Sequence, residues 1–316
     1  MHNPTFYANG KLLLTAEYFV LDGATALALP TKFGQSLTIS KNKIPNFAWN
    51  SEWFSLDSDK KQWFGGGFNS KDFELAWSSG ENVGASLMTI LQTAQKLNPN
   101  ANFQNRIFET ALTFPKNWGL GTSSTLIYNI AKYCNINPYT LLARSFGGSG
   151  YDIACAGAKK PILFQRENGK PTHQEVDFKP PFSAQLYFVY LEKKQNSKEG
   201  IDHYRNKARK IPLSVGTPLE QYFTDISALT YAFLKENDFK NFEKLIIEHE
   251  NKVADIIKLS RAKDLYFNDY WGEIKSLGAW GGDFVLATSE RSFEETKSYF
   301  ENKGFTTIVK YEDMIL

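Results

Sequence analysis

Cysteine is nearly absent from this chain: Cys134 and Cys155 are the only two among 316 residues, and neither sits in metal-type spacing. That excludes a disulfide scaffold and a cysteine-built metal centre, and two free thiols point to a reducing, cytoplasmic setting. Long hydrophobic runs are missing too. No stretch approaches membrane-spanning length, and the first residues lack the basic region, apolar core and cleavage site of a signal peptide. An excess of charge of either sign is also lacking. The net charge is +2 with Lys and Arg dispersed, so no basic footprint for nucleic acid or a membrane surface is expected. There is no internal repeat and no low-complexity tract.

The residues that are present, 42% hydrophobic, 15% aromatic and 22% charged, describe a globular chain long enough for two cores. The texture changes at Lys179-Pro-Pro-Phe182, which predicts domains at 1–180 and 181–316. Leu12–Leu14 and Ser36–Ser40 read as strands, and the Trp- and Phe-rich region Phe47–Trp77 as aromatic β-hairpins. Val83, Leu87, Ile90, Leu91, Ala94 and Leu97 recur at helical spacing. Leu186–Leu191, Phe284–Ala287 and Phe305–Val309 read as strands. Thr217-Pro218 opens a helix carrying Tyr222, Phe223, Ile226, Leu229 and Phe233. Phe239 to Ile257 traces another apolar face, and Ser292 with Glu295 forms a capping box for a helix that stops at Gly304. This mixture predicts an α+β fold.

Chemistry concentrates in four segments. Pro115-Lys-Asn-Trp-Gly-Leu-Gly-Thr-Ser-Ser124 runs into a helical apolar pattern and reads as a phosphate cradle. A helix start exposes unpaired N–H groups and the positive end of the dipole, and Gly119 and Gly121 let an anion reach the backbone. Thr122, Ser123 and Ser124 add hydroxyls. The competing reading is an ordinary capped helix start. In Gly147-Gly-Ser-Gly-Tyr-Asp152, Asp152 is a candidate general base, or else a helix cap. Lys11, at the head of an apolar strand, can reach a phosphate or stand in solvent. Gly278-Ala-Trp-Gly-Gly-Asp283 can close over phosphates or simply turn between helix and strand.

In this order the segments resemble the GHMP small-molecule kinases, which include galactokinase, homoserine kinase, mevalonate kinase and phosphomevalonate kinase. Gly10–Gly23 looks like the family's first motif, Pro115–Ser124 like its ATP motif and Gly278–Asp283 like its third. Ala16–Asp22, Gly148–Ala154, Gly281-Gly-Asp283 and Lys193–Lys198 resemble the phosphomevalonate kinase branch. The resemblance implies a two-domain α+β fold, an N-terminal ribosomal-protein-like domain followed by a ferredoxin-like domain.

It implies ATP bound by Pro115, Gly119, Leu120, Gly121, Thr122, Ser123 and Ser124, with Ser123 near Mg²⁺. Asp152 would be the base and Lys11 the cation beside the acceptor hydroxyl or transferring phosphoryl group. Glu17, Ser149, Gly150, Lys194, Ser197, Gly281, Gly282 and Asp283 would contact the acceptor. Two departures stand out. Leu141–Phe146 lacks the metal-ligating glutamate of mevalonate kinases, and Trp280 replaces a glycine, where a bulky indole would narrow the nucleotide site.

The resemblance thus implies an ATP-dependent kinase of a small acceptor, phosphomevalonate first, working as a monomer or homodimer with no nucleic-acid or membrane partner. The alternatives are mevalonate phosphorylation, a related diphosphomevalonate decarboxylase, and a noncatalytic sensor of the same fold. His249, on an otherwise apolar helical face, reads as a core residue rather than a catalytic one.

Overall fold

The computed structural model describes residues 3–44, 49–193, 197–208, 218–278, 280 and 282–316. The fold is α+β, in two compact units, each discontinuous in sequence: residues 1–10, 33–116 and 120–157, and residues 11–32, 117–119 and 158–316. The expected division at 180/181 differs from this one for a reason local sequence does not carry. Within residues 158–180, Ile162–Glu167 and Lys170–Glu175 form a hairpin that pairs with residues 26–28, through Ala26↔Phe164 and Ala28↔Ile162. Residues 26–28 belong to the second unit, so the hairpin goes with them, although through the same pairing it also extends the large sheet of the first part of the chain.

The first unit starts with β1 (Thr5–Leu13), which pairs with β2 (Ala26–Lys41). It continues through β3 (Ser51–Leu56), β4 (Gln62–Phe68), β5 (Leu75–Ser78) and β6 (Arg106–Leu112) in the order β5-β4-β3-β6-β2. The expected aromatic hairpins are β3 to β5, although Phe47 lies outside the described residues. Alternation along these strands sends Trp53, Phe64, Phe68 and Phe108 inward, where Trp53 stacks on Phe108 at 5.2 Å. Helix α1 (Glu81–Leu97) buries Leu87, Ile90, Leu91 and Ala94 in that core, as the spacing predicts. Helices α2 (Thr122–Tyr133), α3 (Pro138–Ser145) and α4 (Tyr151–Gly157) complete the unit.

In the second unit, β7 (Ile162–Glu167) and β8 (Lys170–Glu175) form the hairpin on β2. A separate antiparallel sheet of β9 (Leu186–Tyr190), β10 (Ile274–Ser276), β11 (Phe284–Thr288) and β12 (Ile308–Lys310) runs in the order β10-β11-β9-β12. The strand expected from Phe305 begins only at Ile308. The Phe305 N–H closes the preceding helix by donating to Phe300 O, and its ring packs on Phe267.

The helices of this unit are α5 (Ser197–Ala208), α6 (Pro218–Lys235), α7 (Phe239–Ile257), α8 (Ala262–Tyr266), α9 (Phe293–Asn302) and α10 (Tyr311–Met314). Thr217, the expected cap of α6, lies outside the described residues. The capping box of α9 forms as expected, with Ser292 accepting from Glu295 N–H and Glu295 accepting from Ser292 N–H. On α7, Phe242, Ile246, His249, Val253, Ile256 and Ile257 are all buried. Both cysteines are free and buried, and burial pushes the Cys134 thiol up to about 12, leaving it unreactive.

Candidate functional site

The expected cradle does end in a helix start. Gly119 and Gly121 adopt φ of 68° and 97°, values that L side chains rarely accept, and α2 opens directly after Gly121 with no side-chain cap. Its hydroxyls divide their work. Ser124 is buried and donates to Gly121 O at 2.9 Å, whereas Ser123 is exposed and Thr122 half-buried. Thr125 donates to Gln35 Oε1 at 2.8 Å, and Asn129 Nδ2 donates to Gln35 O at 2.9 Å, so a buried amide on β2 holds the helix start in place. Pro115 has no backbone N–H to donate, and the Leu120 side chain is wholly buried.

Within the second unit, Lys11 and Asp283 meet the glycine loop. Lys11 Nζ donates to Gly119 O at 2.8 Å. The Asp283 carboxylate lies so close that a Cβ on Gly119 would come within 2.1 Å of Oδ2. Asp283 is itself fixed, its N–H donating to Lys193 O at 2.9 Å and its carbonyl accepting from Leu191 N–H at 2.7 Å. An alanine at Gly119 would meet both the φ penalty and this carboxylate. Gly119→Ala is therefore expected to lower stability by about 1–3 kcal/mol, read as a fall in thermal midpoint.

Trp280, expected to narrow the nucleotide site, is 5% exposed, and its indole Nε1 donates to Ser260 O at 2.9 Å. Its backbone N–H donates to the Tyr18 hydroxyl at 3.0 Å. Gly282 is buried, while Gly281 and Lys194 lie outside the described residues; Ser197 begins α5.

In the first unit, Asp152 is half-buried in the first turn of α4, its Oδ1 accepting from Ile153 N–H at 3.0 Å. The turn before it is open. Gly147, Gly148 and Gly150 have φ of 75°, 114° and 95°, and a Cβ at Gly147 or Gly148 would meet nothing within 4 Å. Ser149 is half-buried and Gly150 buried beside this opening.

Sequence reasoning missed a buried charge cluster. Glu17, expected to contact acceptor, is fully buried, and its Oε1 accepts from Lys275 Nζ at 2.7 Å. Lys275 also reaches Glu250 Oε1 at 3.3 Å, and Ser276 donates to Glu250 Oε2 at 2.9 Å. His249 Nε2 accepts the Ala16 N–H at 3.0 Å, so the ring is neutral, as burial and then Lys275 dictate by holding its pKa well below 6.5. One cation between two buried carboxylates leaves an excess negative charge, which burial resists. Desolvation pushes Glu17 from 4.5 to about 7 against the opposing pull of Lys275, and it raises Glu250 as well.

The sign follows from linkage. A carboxyl with a raised folded pKa contributes stability that is fully present below 4.5 and lost as pH rises through about 7. Glu17→Gln removes that contribution. The stability of wild type relative to Glu17→Gln is expected to fall by roughly 3 kcal/mol between pH 4.5 and pH 8, measured by denaturant unfolding across that range.

No family model matches this sequence, and no curated protein matches it. Solved structures do. The Methanococcus jannaschii mevalonate kinase is 16% identical, with a TM-score of 0.65 and 97% of each chain covered. The Streptococcus pneumoniae phosphomevalonate kinase in complex with phosphomevalonate and AMPPNP is 14% identical, with a TM-score of 0.66 over 97% of this chain and 99% of that one. The Lactococcus lactis galactokinase complexed with galactose is 11% identical, with a TM-score of 0.67 over 96% of this chain and 92% of that one. The chain therefore has the fold of the GHMP kinases, common to structures whose acceptors differ.

Proposed function

We propose that this protein is an ATP- and Mg²⁺-dependent kinase of the GHMP family that phosphorylates a small hydroxylated acid, with phosphomevalonate as the favoured acceptor. The observation that carries the reading is the uncapped start of α2 behind Gly119 and Gly121, with Lys11 Nζ on the carbonyl of Gly119. The fold supports it. The Ala16–Asp22 and Gly148–Ala154 sequence details favour phosphomevalonate over mevalonate, as does the missing glutamate between Leu141 and Phe146. Phosphoryl transfer needs positioning and charge stabilisation more than covalent chemistry, and these residue types supply both.

In this mechanism the first-turn N–H groups of α2 hold nucleotide phosphates. Asp152 takes the proton of the acceptor hydroxyl, and Lys11 offsets charge developing on the transferred group. Among the described residues no cluster of three or more His, Cys, Asp and Glu side chains could hold a metal ion. Mg²⁺ keeps waters and binds chiefly to phosphate oxygens, and the exposed Ser123 hydroxyl would be its protein ligand. When bound, the ion neutralises phosphate charge. An anionic acceptor would be met by Lys194, Ser197, Ser149 and Gly150 together with the Gly281-Gly-Asp283 turn.

Product analysis tests the acceptor. Phosphorus NMR after incubation with MgATP is expected to show a new diphosphate ester from phosphomevalonate and no new ester from mevalonate or galactose. A monophosphate formed from mevalonate alone would reassign the substrate.

A further inference from the structure

Tyr18 occupies a backbone conformation that its sequence gives no reason to adopt. Its φ and ψ are 64° and −43°, and the flanking Phe19 N–H donates to Glu17 O at 2.8 Å, the three-residue turn of the strained hand. Ala16, two residues earlier, is also at positive φ, 63°. Such outliers cost about 1–3 kcal/mol each and persist only where the surroundings over-determine them.

The surroundings here are specific. Ala16 N–H is taken by His249, the Glu17 carboxylate by Lys275 and the Tyr18 hydroxyl by the Trp280 N–H. The Tyr18 ring, 8% exposed, stacks on Tyr204 of α5 with centroids 5.6 Å apart and planes within 15°. Gly200 on the same helix admits this contact, since a Cβ there would lie 2.7 Å from the Tyr18 hydroxyl.

We propose that Tyr18 is a positioning residue for the phosphate site, its hydroxyl fixing the Trp280 backbone, three residues before Asp283, by holding the Trp280 N–H. Among the described residues of the stretch 275–283, three are anchored as follows. Lys275 at its start is anchored to Glu17 and Glu250, Trp280 in its middle to Tyr18, and Asp283 at its end to Lys193 and Leu191. Asp283 in turn abuts Gly119 of the nucleotide loop. At the middle anchor the Trp280 indole is held separately by Ser260 O, and its backbone N–H is held by the hydroxyl of a strained residue. Releasing the hydroxyl leaves the buried Trp280 N–H unpaired, and the backbone at Trp280 shifts to find another partner. The strain at Tyr18 is the device that aims its hydroxyl at that N–H.

The proposal rests on the kinase reading and is separable from it by experiment. Tyr18→Phe keeps the ring and its stack but deletes the hydroxyl. Tyr204→Phe is the matched control, because it deletes another buried hydroxyl, the one donating to Asp22 Oδ2 at 2.6 Å, without touching the Trp280 N–H.

Both variants are compared with wild type by circular dichroism, MgADP calorimetry and steady-state kinetics. Tyr18→Phe is expected to raise the MgADP Kd and the MgATP KM about tenfold while kcat stays within about twofold. Tyr204→Phe is expected to leave Kd and KM within about twofold of wild type even as its thermal midpoint falls. Unchanged nucleotide affinity in Tyr18→Phe, or the same loss in both variants, overturns the proposal. Failure of wild type itself to bind MgADP overturns the kinase reading, and the assigned role of Tyr18 with it.

Discussion

Asp152→Asn is expected to lower turnover by about 10²–10⁴-fold while leaving folding and MgADP affinity close to wild type. The substitution keeps the shape and hydrogen-bonding reach of the side chain and removes only its basicity. In the structure the carboxylate makes a local bond to the Ile153 N–H, an interaction that the Asn side-chain oxygen reproduces. A residue whose work is helix capping would survive this exchange with turnover intact. The loss of turnover at preserved binding is therefore the signature of a base, and parallel kinetics and calorimetry on the two proteins measure it.

Lys275→Met is expected to be the most destabilising single change in the second unit, by about 3–5 kcal/mol. The substitution leaves Glu17 and Glu250 buried with no cation between them, and both must then take up protons or unfold the cluster. Glu250→Gln offers the contrast, since it leaves one cation facing one carboxylate. Denaturant unfolding of the two variants at pH 8 should separate them clearly. Equal, small losses would mean that Lys275 does not offset the charge of these buried carboxylates.

Much of the fold is legible locally because amphipathic periodicity and capping chemistry act over a few residues. Helices α1 and α7 and the capping box of α9 follow directly from such patterns. His249 is the core residue that its apolar surroundings imply. The unit boundary is not legible, because it depends on β2 pairing with a hairpin that begins more than a hundred residues later. The first strand of that hairpin reads as an ordinary apolar run.

The site divides along the same line. Its glycine loops announce themselves, since only unusual backbone needs that many glycines. Lys275 and Glu250 do not, because a lysine on a short strand and a glutamate beside a helical histidine are indistinguishable from surface residues. Glu17 and Lys275 are 258 positions apart, and only the folded chain shows that each is the reason the other can be buried. Trp280 is a position the sequence alone leaves open. An indole in a glycine turn suggests obstruction, yet its ring is turned into the protein against Ser260 O.

The most direct test of the central claim is ADP formation by the purified protein from MgATP with phosphomevalonate as acceptor, run beside Asp152→Asn. Acceptor-dependent ADP release in wild type that is lost in the variant is the expected result. ADP release that is identical in the two proteins would contradict it, as would the absence of any nucleotide binding by wild type.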